Sequence, residues 1–216
     1  MVTIWPYLKA SPVVTHWEWS PLIHDAYRRN RNLFVPDAAS ALFGYSTVVE
    51  NYTNPIPGLL ALHVRRGDFH DHCTHLAKWS SNWNAFNQFP EFNDRFDVPT
   101  DGGYGTTSDE NMRYYYMHCY PAIQQIVQKV TRVRVESEQP LTHIYIMTNG
   151  PVPWVDELKV ALGKSGDWDQ IKSSRDLDLN WEQKFVAQAL DMFVAQRAEV
   201  LIGNGVRATP CLQERD

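Results

Sequence analysis

Between Pro57-Gly58 and Arg65-Arg66-Gly67-Asp68 the chain carries Leu59-Leu60-Ala61-Leu62-His63-Val64, a short apolar run with a single histidine near its end. A run of this length between turn-forming residues reads as a strand buried on both faces, and such strands belong to parallel sheets. Everything else is constrained by it. Helices must cover both sides, and the polar residues that follow must sit at the carboxyl end of the strand.

The remaining sequence supplies the matching alternation. Residues 13–17 predict a strand, and Pro21–Arg29 a helix opened by its proline. Thr107-Ser108-Asp109-Glu110 has capping-box character, and Met112, Tyr115, Tyr116, Cys119, Ile123, Ile126, Val127 and Val130 recur at helical spacing, predicting one long helix bent at Pro121. Residues 144–147 form a strand, 152–162 a helix ending at Gly163, and Ile171 the centre of a weak strand. Asn180 caps a helix over 181–198, and residues 200–202 form a last strand ending in Gly203-Asn204-Gly205. The order β, α, β, α, β, α, β implies an α/β fold, a Rossmann-like parallel sheet with helices on both faces and right-handed crossovers. We divide the chain into an N-terminal strand/helix segment, 1–57, joined to a core domain, 58–216. Within that domain residues 69–107, rich in Asn, Asp, Pro, Gly and aromatics, read as one long functional loop.

Composition excludes several classes. The chain has 216 residues, 44% of them hydrophobic, with 20 Lys plus Arg against 25 Asp plus Glu and a net charge of −5. That balance argues against nucleic acid as partner. No apolar run approaches the ~20 residues of a membrane span, and the opening residues lack the pattern of a signal peptide. Cys73, Cys119 and Cys211 follow no metal-ligand spacing, and their odd number favours buried free thiols over a disulfide framework. Asn51-Tyr52-Thr53 is an N-glycosylation acceptor triplet that matters only in a secretory compartment. Trp79, Trp83 and Phe86 sit in a polar stretch, where they either stack on a carbohydrate or nucleotide or pin an irregular loop.

Ligands of parallel α/β sheets bind outside the carboxyl ends of the strands. Three predicted strands end there in polar or glycine-containing segments: His63-Val64-Arg65-Arg66-Gly67-Asp68, Thr148-Asn149-Gly150 and Gly203-Asn204-Gly205. His63 and Arg65, two apart, share one strand face, and Val64 takes the other. The planar guanidinium of Arg65 suits a diphosphate that gains charge as its bond to a sugar breaks. Asp68 braces Arg65 or Arg66, and Arg66 either points away or belongs to the turn that Gly67 begins, where it is expected only to pair with a carboxylate at the surface. A strand-end ion-pair cluster without a ligand is the plain alternative. Arg66-Gly67-Asp68 as an adhesion tripeptide is discounted, because it follows a buried strand directly. No Gly-x-Gly-x-x-Gly or Gly-Lys-Ser/Thr phosphate loop is present, which argues against an unrelated Rossmann-like enzyme.

Taken together, His63-Val-Arg-Arg-Gly-Asp68, Ile144-Tyr-Ile-Met-Thr-Asn149 and Asp191-Met-Phe-Val-Ala-Gln-Arg-Ala-Glu-Val-Leu-Ile-Gly-Asn204 resemble the three signatures of the protein O-fucosyltransferase superfamily, in its order, over residues 58–205. The wording is most similar to fungal members. The resemblance implies the C-terminal, nucleotide-sugar-binding domain of a GT-B glycosyltransferase, inverting transfer of fucose from GDP-fucose to a protein or glycan hydroxyl, no required metal or other cofactor, and a secretory-pathway lumen. It implies that Arg65 is catalytic, binding the β-phosphate and stabilising the departing GDP. His63 would contact the nucleotide and Asp191 would read guanine, with Asn204 and Arg207 completing the donor site and Arg66 and Asp68 supporting it. A carboxylate can accept from both N1–H and the exocyclic amine of guanine, which adenine cannot match. A surface charge on a helix is the alternative for Asp191, beside the buried face of Leu190, Phe193 and Val194.

Two departures qualify the resemblance. The family's glycine-rich, Asn-containing N-terminal segment is not found before His63. After Gly205 the family continues with hydroxyl residues and a closing helix, where this chain has Val206-Arg207-Ala208-Thr209-Pro210 and ends at Asp216. The alternative expectation is therefore a truncated or degenerate GDP-sugar-binding module without turnover.

Overall fold

The computed structural model describes residues 3–35, 54–82, 96–100, 102–203 and 206–210. Five strands form one sheet: β1 (Ile56–His63), β2 (His143–Met147), β3 (Gln170–Ser173), β4 (Ala198–Gly203) and β5 (Val206–Pro210), in the order β3-β2-β1-β4-β5. The first four are parallel, as the apolar runs require, and β5 pairs antiparallel with β4 at the edge. That edge strand was not expected; its sequence, Val206-Arg-Ala-Thr-Pro210, has no apolar run, and its alternation spans only four residues before Pro210.

β1 sits in the middle, and Leu59, Leu60 and Ala61 have no exposed surface. On one face Leu60 and Leu62 join Ile144, Ile146, Val200 and Ile202 beneath two helices, Ile123–Glu136 and Val152–Lys164. On the other, Leu59 and Ala61 join Tyr145 and Met147 beneath Pro21–Arg29 and Ala187–Gln196, whose Tyr27 and Phe193 rings meet edge to face at 5.2 Å. The β1 strand bends where Gly58 takes a φ of +76°, and a Cβ there would lie 2.9 Å from Thr142 Oγ1. Only glycine fits that register shift.

Several expectations need correction. Residues 13–17 are not a strand: Ser11-Pro12 opens a one-turn helix, Pro12–Thr15, in which Ser11 O accepts from the amides of Val14 and Thr15. Val13 and Val14 are exposed there and pair with no strand. Residues 69–107 are not one long loop, since they begin with a helix, Phe69–Lys78, which buries Cys73, Leu76 and Ala77 at helical spacing. The helix bent at Pro121 is two helices, Asp109–Cys119 and Ile123–Glu136. Pro121 offers no amide hydrogen and pushes Tyr120 out of helical geometry, to φ −139° and ψ 52°. The Asn180-capped helix, Trp181–Lys184, likewise stops after one turn, and Val186 leaves helical geometry before Ala187–Gln196 begins.

Cys73 and Cys119 are not free thiols but a disulfide that joins Phe69–Lys78 to Asp109–Cys119 across 46 residues. Both are fully buried, and Cys211 lies outside the described residues. Closing a loop of that length stabilises by about 4 kcal/mol in the chain-entropy account. Reductant is expected to lower the melting temperature of the parent by on the order of 10 °C and to leave a Cys73→Ala/Cys119→Ala variant unmoved. Equal responses of the two proteins in thermal denaturation would show that the bond does not form.

Candidate functional site

The carboxyl ends of β1, β2 and β4 meet at one rim, with His63 in register with Met147 on one side and Gly203 on the other. Beyond the ladder, β1 stays bound to β2. The Val64 amide donates to Met147 O at 3.0 Å, and the Thr148 hydroxyl donates to Val64 O at 2.5 Å. The Arg66 amide then donates to Asn149 Oδ1 at 2.6 Å. The Thr148-Asn149 segment, read as a ligand rim, is thus spent on holding the neighbouring strand end in place. Gly67 turns the chain with a φ of +54°, and a Cβ there would stand 3.1 Å from Asn149 Nδ2.

Strand alternation runs through this end. His63 and Arg65 are exposed; Val64 and Arg66 are buried. Arg66 does not pair with a surface carboxylate. Its guanidinium lies between the rings of Tyr120 and Trp154, 3.8 and 4.3 Å from their centroids, and donates to Pro121 O at 3.0 Å. Burial lowers its pKa, though Tyr120 works the other way. Arg65 takes the Asp68 carboxylate at 3.0 Å and lies over the Phe69 ring. Both partners of that ion pair are more than half exposed, so it holds Arg65 weakly and yields to a stronger anion. His63 keeps an exposed edge, but the protein packed around the rest of the ring first and the Arg65 charge second lower its pKa from the ordinary 6.5, favouring the neutral imidazole.

Asp191 is not a surface charge. It stands half-buried on Ala187–Gln196, and the hydroxyl of the fully buried Tyr145 donates to its Oδ1 at 2.7 Å. Burial raises its carboxyl to about 7, against the Tyr145 hydrogen bond and the charge of Arg175. Tyr145 is itself held protonated, by burial and then by the Asp191 carboxylate. Tyr145 shares a sheet face with Ala61, and His63 and Arg65 follow in the same alternation, so all three predicted residues belong to one side of the sheet. Arg207 falls in β5. Asn204 and the Asn51 triplet lie outside the described residues, as do Trp83 and Phe86.

Two residues of this region escaped the sequence reading. Tyr145 carried a signal, because a tyrosine inside an otherwise aliphatic strand needs a partner for its hydroxyl. Arg175 carried none. Among the described residues no group of three or more His, Cys, Asp or Glu is placed to hold a metal ion, and no helix is long and apolar enough to cross a membrane.

The fold and rim define an α/β protein with a Rossmann-like sheet, a cationic strand end and, on the same side of the sheet, a half-buried carboxylate. No family model and no curated protein matches the chain. Among solved structures it is similar to the crystal structure of POFUT1 in complex with GDP-fucose, at 16% identity and a TM-score of 0.48, over 88% of this chain and 40% of that one.

The two adjacent arginines differ in what a conservative change removes. Lysine cannot stack flat between two rings or reproduce the hydrogen bond to Pro121, so Arg66→Lys is expected to destabilise the fold by about 1–3 kcal/mol. Urea denaturation measures this, and an unchanged midpoint would show that the Tyr120–Arg66–Trp154 stack contributes nothing.

Proposed function

We propose that this chain is the donor-binding part of a glycosyltransferase that moves fucose from GDP-fucose to a hydroxyl acceptor, on a protein or a glycan, with inversion. The observation that carries this reading is Asp191, an acceptor kept in a half-buried position by Tyr145 on the same side of the sheet as His63 and Arg65. Asp191 accepts from N1–H and the exocyclic amine of guanine, and neutral His63 hydrogen-bonds the nucleotide. Arg65 leaves Asp68 for the β-phosphate and stabilises the negative charge that gathers there as the sugar C1–O bond breaks. The acceptor oxygen bonds to C1 from the opposite face as the C1–O bond to GDP breaks, GDP leaves with that bond's electron pair, and the acceptor's proton passes to the surrounding water. Asn204 and Arg207 complete the donor site in this reading. The Cys73–Cys119 disulfide suits the oxidising lumen in which such bonds persist.

Calorimetric titration with GDP and ADP, followed by acceptor-dependent release of GDP from GDP-fucose, tests the proposal. Asp191→Asn places an amide donor against a guanine donor, costing on the order of 1–3 kcal/mol, and should weaken GDP far more than ADP; equal weakening would return Asp191 to a structural role. Arg65→Lys keeps the charge and loses the fork. It should lower turnover by an amount equivalent to about 2.7–4 kcal/mol while affinity for GDP falls less. Parent-like rates in that variant would remove Arg65 from the reaction, and GDP binding without any release from GDP-fucose would identify a binding module instead.

A further inference from the structure

The helix Phe69–Lys78 starts at the residue after Asp68, so its first turn lies beside the rim that carries Arg65. Two ring contacts fix where that turn sits. Phe69 lies beneath the Arg65 guanidinium, 5.4 Å from the ring centroid, and His70 meets Tyr120 edge to face at 5.3 Å, the ring that stacks on Arg66. The disulfide from Cys73 to Cys119, the neighbour of Tyr120, ties this helix to Asp109–Cys119. His70 is therefore held beside both arginines, with more than half of its side chain in solvent. Each ring nitrogen has a partner. Nδ1 faces Asp71 Oδ1 at 3.2 Å, and Nε2 faces the Tyr116 hydroxyl at 3.1 Å. A carboxylate can only accept, so Nδ1 carries the hydrogen and, in the neutral ring, Nε2 keeps its lone pair. Tyr116 does not close that lone pair off: its hydroxyl is nearer to Thr74 Oγ1, at 2.7 Å, and keeps that bond when another hydroxyl takes its place on Nε2.

We propose that His70 is the catalytic base of the transfer: Nε2 takes the proton of the acceptor hydroxyl, and Asp71 holds the ring in the tautomer able to take it. The inference rests on the reading of the chain as a fucosyltransferase. The carboxylates of the rim are engaged elsewhere, Asp68 with Arg65, Asp176 with Lys159 and Asp191 with the Tyr145 hydroxyl. His72 and His75 lie beside Phe69 and Trp79, and among the described residues no hydrogen bond orients their rings. As the acceptor oxygen bonds to C1, its O–H bond breaks toward Nε2, and the electron pair of the C1–O bond leaves with GDP. The imidazolium formed is stabilised by Asp71 and, being exposed, passes the proton on to water, which returns the ring to its starting form. Asp71 is almost wholly exposed, so the pair adds little to stability. Its part is orientation, the role an acidic partner plays for a histidine base.

The test is release of GDP from GDP-fucose with water, dilute ethanol or dilute trifluoroethanol as acceptor, for the parent, His70→Gln and His70→Ala, with GDP affinity measured alongside. Both variants should lose on the order of a hundredfold in turnover and bind GDP as the parent does, since His70 serves the acceptor and not the donor. Trifluoroethanol, the more acidic alcohol, needs less help in giving up its proton and should lose less than ethanol. Imidazole added to His70→Ala should restore part of the rate. Nitrogen NMR of the parent in mildly alkaline buffer should show the ring hydrogen of His70 on Nδ1. Parent-like turnover in both variants, an equal loss for the two alcohols without rescue by imidazole, or a ring hydrogen on Nε2 overturns the proposal. If the parent releases no GDP with any acceptor, the fucosyltransferase reading itself has failed and the base with it, whereas release that survives the loss of His70 removes the base alone.

Discussion

A strand with no exposed side chain over Leu59, Leu60 and Ala61 cannot lie at a surface, and that burial governs the rest of the molecule. Each fully buried leucine contributes roughly 1.5–3 kcal/mol, provided both faces are covered. Between successive parallel strands the chain therefore has to return and lay a helix on one side or the other, giving the two apolar layers on either side of the sheet. A strand covered in this way meets water only at its ends. The polar residues of the central strand are accordingly gathered at its carboxyl end, and strict alternation there sends His63 and Arg65 to one side and Val64 and Arg66 to the other.

That geometry explains why two neighbouring arginines take opposite fates. Arg66 is locked between Tyr120 and Trp154, and Tyr120 directly follows Cys119, whose disulfide fixes the helix Asp109–Cys119 to Phe69–Lys78. The turn at Gly67 is thus held on one side by the stacked guanidinium and on the other by Asn149. Arg65, on the exposed side of that rigid base, takes Asp68 in an exposed ion pair and lies over the Phe69 ring. Preorganised backbone with an exchangeable charge is the arrangement expected where an anion is to be bound and released.

What could be read from the sequence follows from how burial writes itself into residues. Strands covered on both faces are continuous apolar runs, so Leu59 to Val64, Ile144 to Met147 and Val200 to Ile202 were legible, and with them the fold class. Where tertiary contacts decide, local pattern misleads. Val13 and Val14 look like strand but have no strand beside them, and Pro12 settles them into a turn of helix. The helix Phe69–Lys78 hid in a polar stretch because it buries only one narrow side, Cys73, Leu76 and Ala77. The disulfide was masked by the odd cysteine count. In the candidate site His63, Arg65 and Asp191 could be named in advance, because strand ends and a helix acid are positions the sequence displays. The position of Arg175 could not, since it is set by a carbonyl the side chain grips 25 residues away.

Asp191 also has a cost that bears on its role. Its carboxyl, ordinarily near 3.8, is raised to about 7, so between those values the folded chain holds a proton that the unfolded chain has released. Stability from this group is complete below pH 3.8 and is lost as pH rises through 7. An asparagine would keep an acceptor for Tyr145 and escape this loss entirely. A fold selected only for stability at neutral pH has no use for a half-buried carboxylate here, with Tyr145 and a pinned Arg175 both working to keep it charged. Such an expenditure makes physical sense where the charge itself has a use.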